Sequence, residues 1–361
     1  MKRGVTNLLK LNKEFLMTKE MILLYVFIGL FIIMSVINPS RFLSPGNLQS
    51  MASQLPELGI IALGMMVVII TGGIDLSITF TAALSGIAGA FTLSSGYNEG
   101  MTGAAIVFLI IKAVLVTIVT AIACGLVNGF FVSYVGVSPI LVTLGTMTLY
   151  EGISLWFTKG GAISGFPEQY LWFGNGNILF IPVPIVIFAL LAFLTGIVLE
   201  CTAWGRGVYM FGCNPTATLF SGINIRKLVM MVYVYSAIMA SIATIIMTSR
   251  YNSAKVDYGS SYLLQSVAIV VLGGTDIAGG YGKVIGTVTA ACIVQILSSG
   301  LNLLGINRYL VDVTMGMLLI SVLLLNFFII KMKQREGIEK KQKKFMHGSV
   351  SSPKTTMGGD N

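Results

Sequence analysis

The chain is 361 residues long, 55% hydrophobic and 10% charged, with a net charge of +9 and a mean hydropathy of +0.87. No soluble domain of this size hides so much apolar surface, so the composition indicates an all-α, polytopic membrane protein. Continuous rather than alternating apolar runs exclude a membrane β-barrel.

Cys124, Cys201, Cys213 and Cys292 match no metal-ligand spacing, and no disulfide is expected. With His347 as the single histidine, in a polar tail, a metalloenzyme is not indicated.

A spanning helix needs about twenty residues to cross a hydrocarbon core of about 30 Å. On that length the sequence predicts about ten spans, near 20–38, 55–71, 77–95, 103–133, 138–158, 178–200, 228–248, 261–273, 283–303 and 309–330. No small-residue cleavage site follows the first apolar run, so it is expected to be a retained helix rather than a signal peptide. Pro39, Pro45, Pro139, Pro167, Pro182 and Pro184 stand at the joints.

Charge gives an orientation. With the N-terminus inside, 17 of the 23 basic residues fall on the cytoplasmic side, five fall outside and Lys112 lies within a span. That asymmetry follows the positive-inside rule. It puts both termini in the cytoplasm and explains the basic pI without nucleic acid as a partner. The expected organisation is a basic cytoplasmic segment (1–19), a membrane domain (20–330) with a cytoplasmic loop at 201–227, and a basic, disordered tail (331–361) that sits against membrane lipid.

The loop at 201–227 differs from the rest. It carries Gly205, Arg206, Gly207 and Gly212, then a short helix written in capping chemistry from Pro215 to Ser221. Asn214 suits the N-cap, Pro215 the first helical position and Gly222 the left-handed C′ position. This helix shows Leu219 and Phe220 on a water-exposed loop, with Asn224, Arg226 and Lys227 following. Two readings stand: a rigid docking element, or a connecting loop that folds back on its own bundle.

Two glycine pairs interrupt the spans in parallel, Gly72-Gly73-Ile74-Asp75-Leu76-Ser77 and Gly273-Gly274-Thr275-Asp276-Ile277-Ala278. Each follows a short apolar segment, as in a weak internal repeat with both breaks on one side. Gly-interrupted segments in corresponding positions point to a transport path. Asp75 and Asp276 serve there as helix caps or as contacts to a solute. Other polar residues expected at membrane depth are Asn128, Thr143, Thr146, Thr148, Gln265, Gln295 and Asn302, with Ser77 beside the first break. This neutral lining suits an uncharged polyol better than an ion, although such groups also bond helix to helix at about 0.6 kcal/mol each. Glu151, Asp312 and Lys112 are ionisable groups in or near spans. A Lys112–Glu151 pair would hint at a proton-coupled transporter. Gly125-x-x-x-Gly129 and Gly282-x-x-x-Gly286 permit close helix approach. Gly282-Lys283 is followed by Val284, so no phosphate-binding loop is present.

Five stretches, in order, resemble one family: Thr71 to Ser77; Val137 to Thr148; Gly205 to Asn214 with Ser221 to Asn224; Thr248 to Ala254; and Val271 to Asp276 with Gly279 to Thr287. Together they resemble the membrane permease subunit of bacterial ABC importers for simple sugars, the ribose, xylose, galactose and autoinducer-2 group. The resemblance implies two permease subunits forming a pathway and ABC ATPase subunits docked on the cytosolic side, in the bacterial cytoplasmic membrane. It also implies an extracytoplasmic sugar-binding protein that delivers solute. This chain would bind no cofactor, since ATP and Mg belong to the ATPase, and the 201–227 loop would be the coupling element. Departures from the family pattern are Pro215-Thr216 in place of acidic residues, Ile78-Thr79 in place of Val-Gly, Asp276-Ile277 after the second glycine pair, and Lys112. The rival readings are an ion- or proton-coupled secondary transporter using Glu151, Asp75 or Lys112, and a membrane-embedded enzyme, for which no constellation can be assembled.

Overall fold

A computed structural model describes residues 19–324, apart from 99, 102, 308, 309, 312, 315, 318, 319, 322 and 323. The expected N-terminal segment, the tail with His347, Asp312 and parts of the tenth span lie outside the described residues. The helices are α1 (Lys19–Ile37), α2 (Pro39–Phe42), α3 (Pro45–Ile70), α4 (Ile78–Gly96), α5 (Ala104–Phe130) and α6 (Pro139–Thr158). They continue with α7 (Glu168–Asn175), α8 (Val183–Cys201), α9 (Ala203–Cys213), α10 (Pro215–Phe220), α11 (Ile225–Tyr251), α12 (Tyr262–Leu272) and α13 (Val284–Leu303). A π-turn, Phe131–Val135, extends α5. Two short antiparallel ribbons accompany the helices: β1 (Ile163–Ser164) pairs with β4 (Ser253–Ala254), and β2 (Asn177–Ile178) with β3 (Ile181–Pro182).

Among the described residues, seven helices are long and apolar enough to cross a membrane. They correspond to the expected spans at 55–71, 77–95, 103–133, 138–158, 178–200, 228–248 and 283–303. The expected eighth span, 261–273, is an α12 of only 11 residues, too short to cross alone. The second span starts earlier than expected. Ser44 caps it, its hydroxyl accepting from the Asn47 N–H at 3.3 Å, and Pro45 takes the first turn.

Helix α3 is the centre of the bundle. From Leu55 to Ile70 it is apolar on nearly every face and buried on every side, as an all-round apolar helix must be. It packs on α11, α8, α13 and α12. Helix α11 is the second core element, and Gly125 and Gly129 of α5 approach it so closely that added side chains would meet Ala237 and Met230. The lower ends of α3 and α12 and the starts of α11 and α13 meet α9 at one end of the bundle. Arg250, the two ribbons and the start of α12 lie at the other.

Candidate functional site

At the first end, α9 and α10 pack together as a knob. Residues 203–213, expected as loop, are helical. The Thr202 hydroxyl caps α9 by accepting from the Gly205 N–H at 3.0 Å. The glycines serve packing here rather than turns. A Cβ on Gly205 would collide with the Val198 and Leu199 carbonyls, one on Gly207 would meet Leu228 at 2.6 Å, and one on Gly212 would collide with the Ile70 carbonyl and the Gly280 backbone. Arg206 donates from Nη1 to the Cys201 carbonyl at 3.4 Å.

Helix α10 is built as its sequence indicates. Asn214 Oδ1 accepts from the Ala217 N–H at 3.0 Å, and Pro215 opens the helix. Ser221 donates from backbone and hydroxyl to the Ala217 carbonyl, and Gly222 closes the turn at φ +78°. Asn224 Oδ1 then caps α11 by accepting from the Lys227 N–H at 3.0 Å. Leu219 is 58% and Phe220 85% exposed. Arg226 lies over the Tyr134 ring at 5.8 Å.

The knob touches both helix breaks. Helices α3 and α12 end in the same hydrogen-bond pattern. Gly72 donates to Ile69 and Gly73 to Val68; Gly274 donates to Val271 and Thr275 to Val270. The left-handed residue is Gly72 (φ +79°) in one and Gly274 (φ +89°) in the other. Both are Schellman endings, which satisfy the last carbonyls of a helix. The breaks also meet directly, since the Gly280 N–H donates to the Ile70 carbonyl at 2.8 Å. Helix α9 holds the second break through Tyr209, whose hydroxyl donates to the Gly282 carbonyl at 2.8 Å. Burial, with Glu200 and Tyr281 nearby, pushes this phenol up to about 12, so it remains a donor at neutral pH. Asp276 lies at this break and its Oδ1 accepts from the Ala278 N–H at 3.0 Å.

Above the first break lies a buried polar network. Asp75 Oδ1 accepts from the Ser77 N–H and hydroxyl at 3.1 and 2.7 Å, and its Oδ2 accepts from the Ser236 hydroxyl at 2.8 Å. Asn128 Nδ2 donates to the Ser77 hydroxyl at 2.7 Å, and the Thr143 hydroxyl donates to the Ile74 carbonyl at 3.0 Å. Thr146, one turn on, bonds within its own helix to the Val142 carbonyl. The structure thus brings Asp75, Ser77, Asn128 and Thr143 together and ties α4, α5, α6 and α11 to one strand of broken chain.

Gln265, Gln295 and Asn302 come together elsewhere. With Gln54, Ser298 and Tyr262 they line a polar cavity of about 330 Å³ near the end of the bundle away from α10. Behind its wall, bonded to the lining residues Arg250 and Tyr262, lies Glu57, which no sequence motif singles out. Glu57 is fully buried (0% exposed) and receives Arg250 Nε at 2.5 Å on Oε1 and Arg250 Nη2 at 3.1 Å on Oε2. The Tyr262 hydroxyl also donates to Oε2, at 3.1 Å. The signal for this pair was present in the sequence, as one acid inside the second apolar run and one base in the Thr248 to Ala254 stretch. Lys112, by contrast, is exposed in an apolar groove with Phe108, Ile111 and Leu115, and among the described residues it forms no ion pair with Glu151.

A bundle of apolar helices with two matched breaks joined to an external knob defines a membrane transport subunit. The family of branched-chain amino acid transport system permease components matches residues 47–323, and the chain belongs to it. It is 38% identical over 305 residues to the ribose import permease protein of Bacillus subtilis strain 168, covering 83% of this chain and 91% of the relative. It is 34% identical over 322 residues to the autoinducer 2 import system permease protein of Enterobacter sp. strain 638, covering 88% and 93%. To the ribose import permease protein of Escherichia coli K12 it is 36% identical over 295 residues, covering 81% and 87%. No solved structure matches the chain. The chain is therefore a permease subunit of an ABC importer, a multi-pass protein of the cytoplasmic membrane and not an enzyme.

Proposed function

We propose that this permease imports a simple neutral sugar, a ribose-like pentose or a hexose, delivered by an extracytoplasmic binding protein. The observation that carries this reading is the cavity of Gln265, Gln295 and Asn302, where, among the described residues, the lining cation Arg250 is already balanced by Glu57. An amino acid would need separate partners for its carboxylate and its ammonium group. A polyol needs only neutral donors and acceptors. The sugar names of the relatives point the same way.

In this reading the membrane domain is 20–330, with about ten transmembrane segments, α12 crossing only together with the chain that flanks it, and both termini in the cytoplasm. The α9–α10 knob, 201–227, is the cytosolic coupling element. Leu219 and Phe220 insert into an ABC ATPase that binds ATP and Mg, while this chain binds no cofactor. Gly205, Gly207 and Gly212 transmit knob movement to the two breaks, where Asp75, Ser77, Asn128, Thr143 and Asp276 hold the broken backbone of the path, with Thr146 one turn further along it. A second permease subunit completes the pathway.

Purification of the tagged chain from native membranes, followed by mass spectrometry, tests the assembly. A nucleotide-binding ATPase recovered in about equal amount supports the reading, and a lone stable oligomer contradicts it.

A further inference from the structure

The polar cavity holds two kinds of group. Glu57 lies behind the wall, and its oxygens are fully engaged by Arg250, Tyr262 and Tyr251, the last at 3.4 Å. It has no surface with which to meet a solute. Arg250 lines the cavity with 17% of its side chain exposed. Its Nε and Nη2 edge is spent on Glu57, and Nη2 also donates to the Tyr251 hydroxyl at 2.5 Å. Among the described residues its Nη1 has no hydrogen-bond partner, and neither have the side chains of Gln265, Ser298 and Asn302.

An unpaired guanidinium in a cavity selects phosphate or carboxylate, because its planar donors match those anions. Here the carboxylate of Glu57 takes that role, paired with both Nε and Nη2 of Arg250. What remains for a solute, among the described residues, is a neutral set: two N–H groups of Nη1, carboxamides that both donate and accept, and hydroxyls. A monosaccharide ring presents hydroxyls of that dual character on all sides, and about 330 Å³ is a small-molecule pocket at the low end of the usual range.

We propose that this cavity is a monosaccharide site in which Arg250 donates from Nη1 to a sugar oxygen, and in which Glu57 is the positioning residue that excludes phosphorylated and acidic sugars by cancelling the Arg250 charge. The proposal rests on the reading of the chain as a sugar permease and adds the group that sets its charge selectivity.

The test is a ligand-observed NMR titration of the permease–ATPase complex in lipid nanodiscs with D-ribose, D-galactose and their phosphate esters. The wild-type complex should favour a neutral sugar over its ester. Glu57→Gln should shift that preference toward the ester by about tenfold, the scale of one hydrogen bond to a charged group. Glu57→Gln/Arg250→Gln should restore the neutral preference, a rescue that a purely structural role would not produce. An unchanged preference in folded Glu57→Gln overturns the proposal, as does failure of the wild type to bind any of the neutral sugars. Should Glu57→Gln not fold, Gln295→Leu and Asn302→Leu decide the matter. Weakened neutral-sugar binding with the ester still excluded supports the site, and unaltered binding overturns it. Uptake by the same complex in proteoliposomes separates the two levels. No monosaccharide uptake, with the binding protein present, overturns the sugar-permease reading itself, whereas uptake with unaltered selectivity in Glu57→Gln overturns only the charge-cancelling role.

Discussion

The Gly280 N–H donates to the Ile70 carbonyl across 2.8 Å, which fastens the two broken helices to each other at the point where α9 lies against them. Gly212 fits into this joint only because it lacks a side chain. Gly212→Ala should therefore force backbone apart. Overpacking of this kind costs about 1–3 kcal/mol. The expected result is a lower melting temperature in detergent, with uptake falling more than ATPase binding. Uptake and melting at wild-type levels would contradict the joint.

Gly222 isolates backbone conformation from packing. It sits at φ +78° with no atom within 4 Å of an added Cβ, so a substitution there acts through the left-handed conformation alone. Gly222→Val should weaken ATPase capture by destabilising the end of α10, at about 1–2 kcal/mol. Gly222→Asn should be tolerated, since asparagine adopts this region readily. Equal capture by the two variants would count against the capped-helix account.

Phe220, at 85% exposure, contributes almost nothing to the isolated fold. Phe220→Ala should leave the melting temperature within the small range of surface substitutions, about ±0.5 kcal/mol. The same variant should lose ATPase affinity on the scale of an interface anchor, about 2 kcal/mol or more. Copurification yield beside a thermal melt checks both halves, and loss of fold with normal capture would reverse the assignment.

Asp75 accepts three hydrogen bonds from Ser77 and Ser236. Asp75→Ala should strand these buried donors, at about 1–3 kcal/mol for each left unsatisfied. Asp75→Asn retains an acceptor and should fold better than the alanine variant. Equal stability of the two in a detergent melt would argue that the network does not brace the break.

The parts legible in the sequence are those written in local chemistry. Asn214, Pro215 and Gly222 determine α10 within nine residues, and the glycine pairs set both breaks because a Schellman ending needs a left-handed residue. Helix α9 was not legible. Three glycines at about 1 kcal/mol each against helix read as loop, and only packing on Leu199, Leu228 and Ile70 outweighs them. The length of α12 was hidden because an apolar run does not show where a short helix begins. Glu57 and Arg250 lie 193 residues apart, and no periodicity links them. For the same reason Gln265, Gln295 and Asn302 were visible as polar residues in spans, but their separation from the Asp75 network was not.

In the proposed assembly a partner ATPase drives this permease. This coupling is tested most directly by monosaccharide uptake into proteoliposomes that contain the permease–ATPase complex and its binding protein. Uptake should stop when ATP is withdrawn and continue when an uncoupler abolishes the proton gradient. Uptake that persists without ATP and collapses with the uncoupler would contradict it.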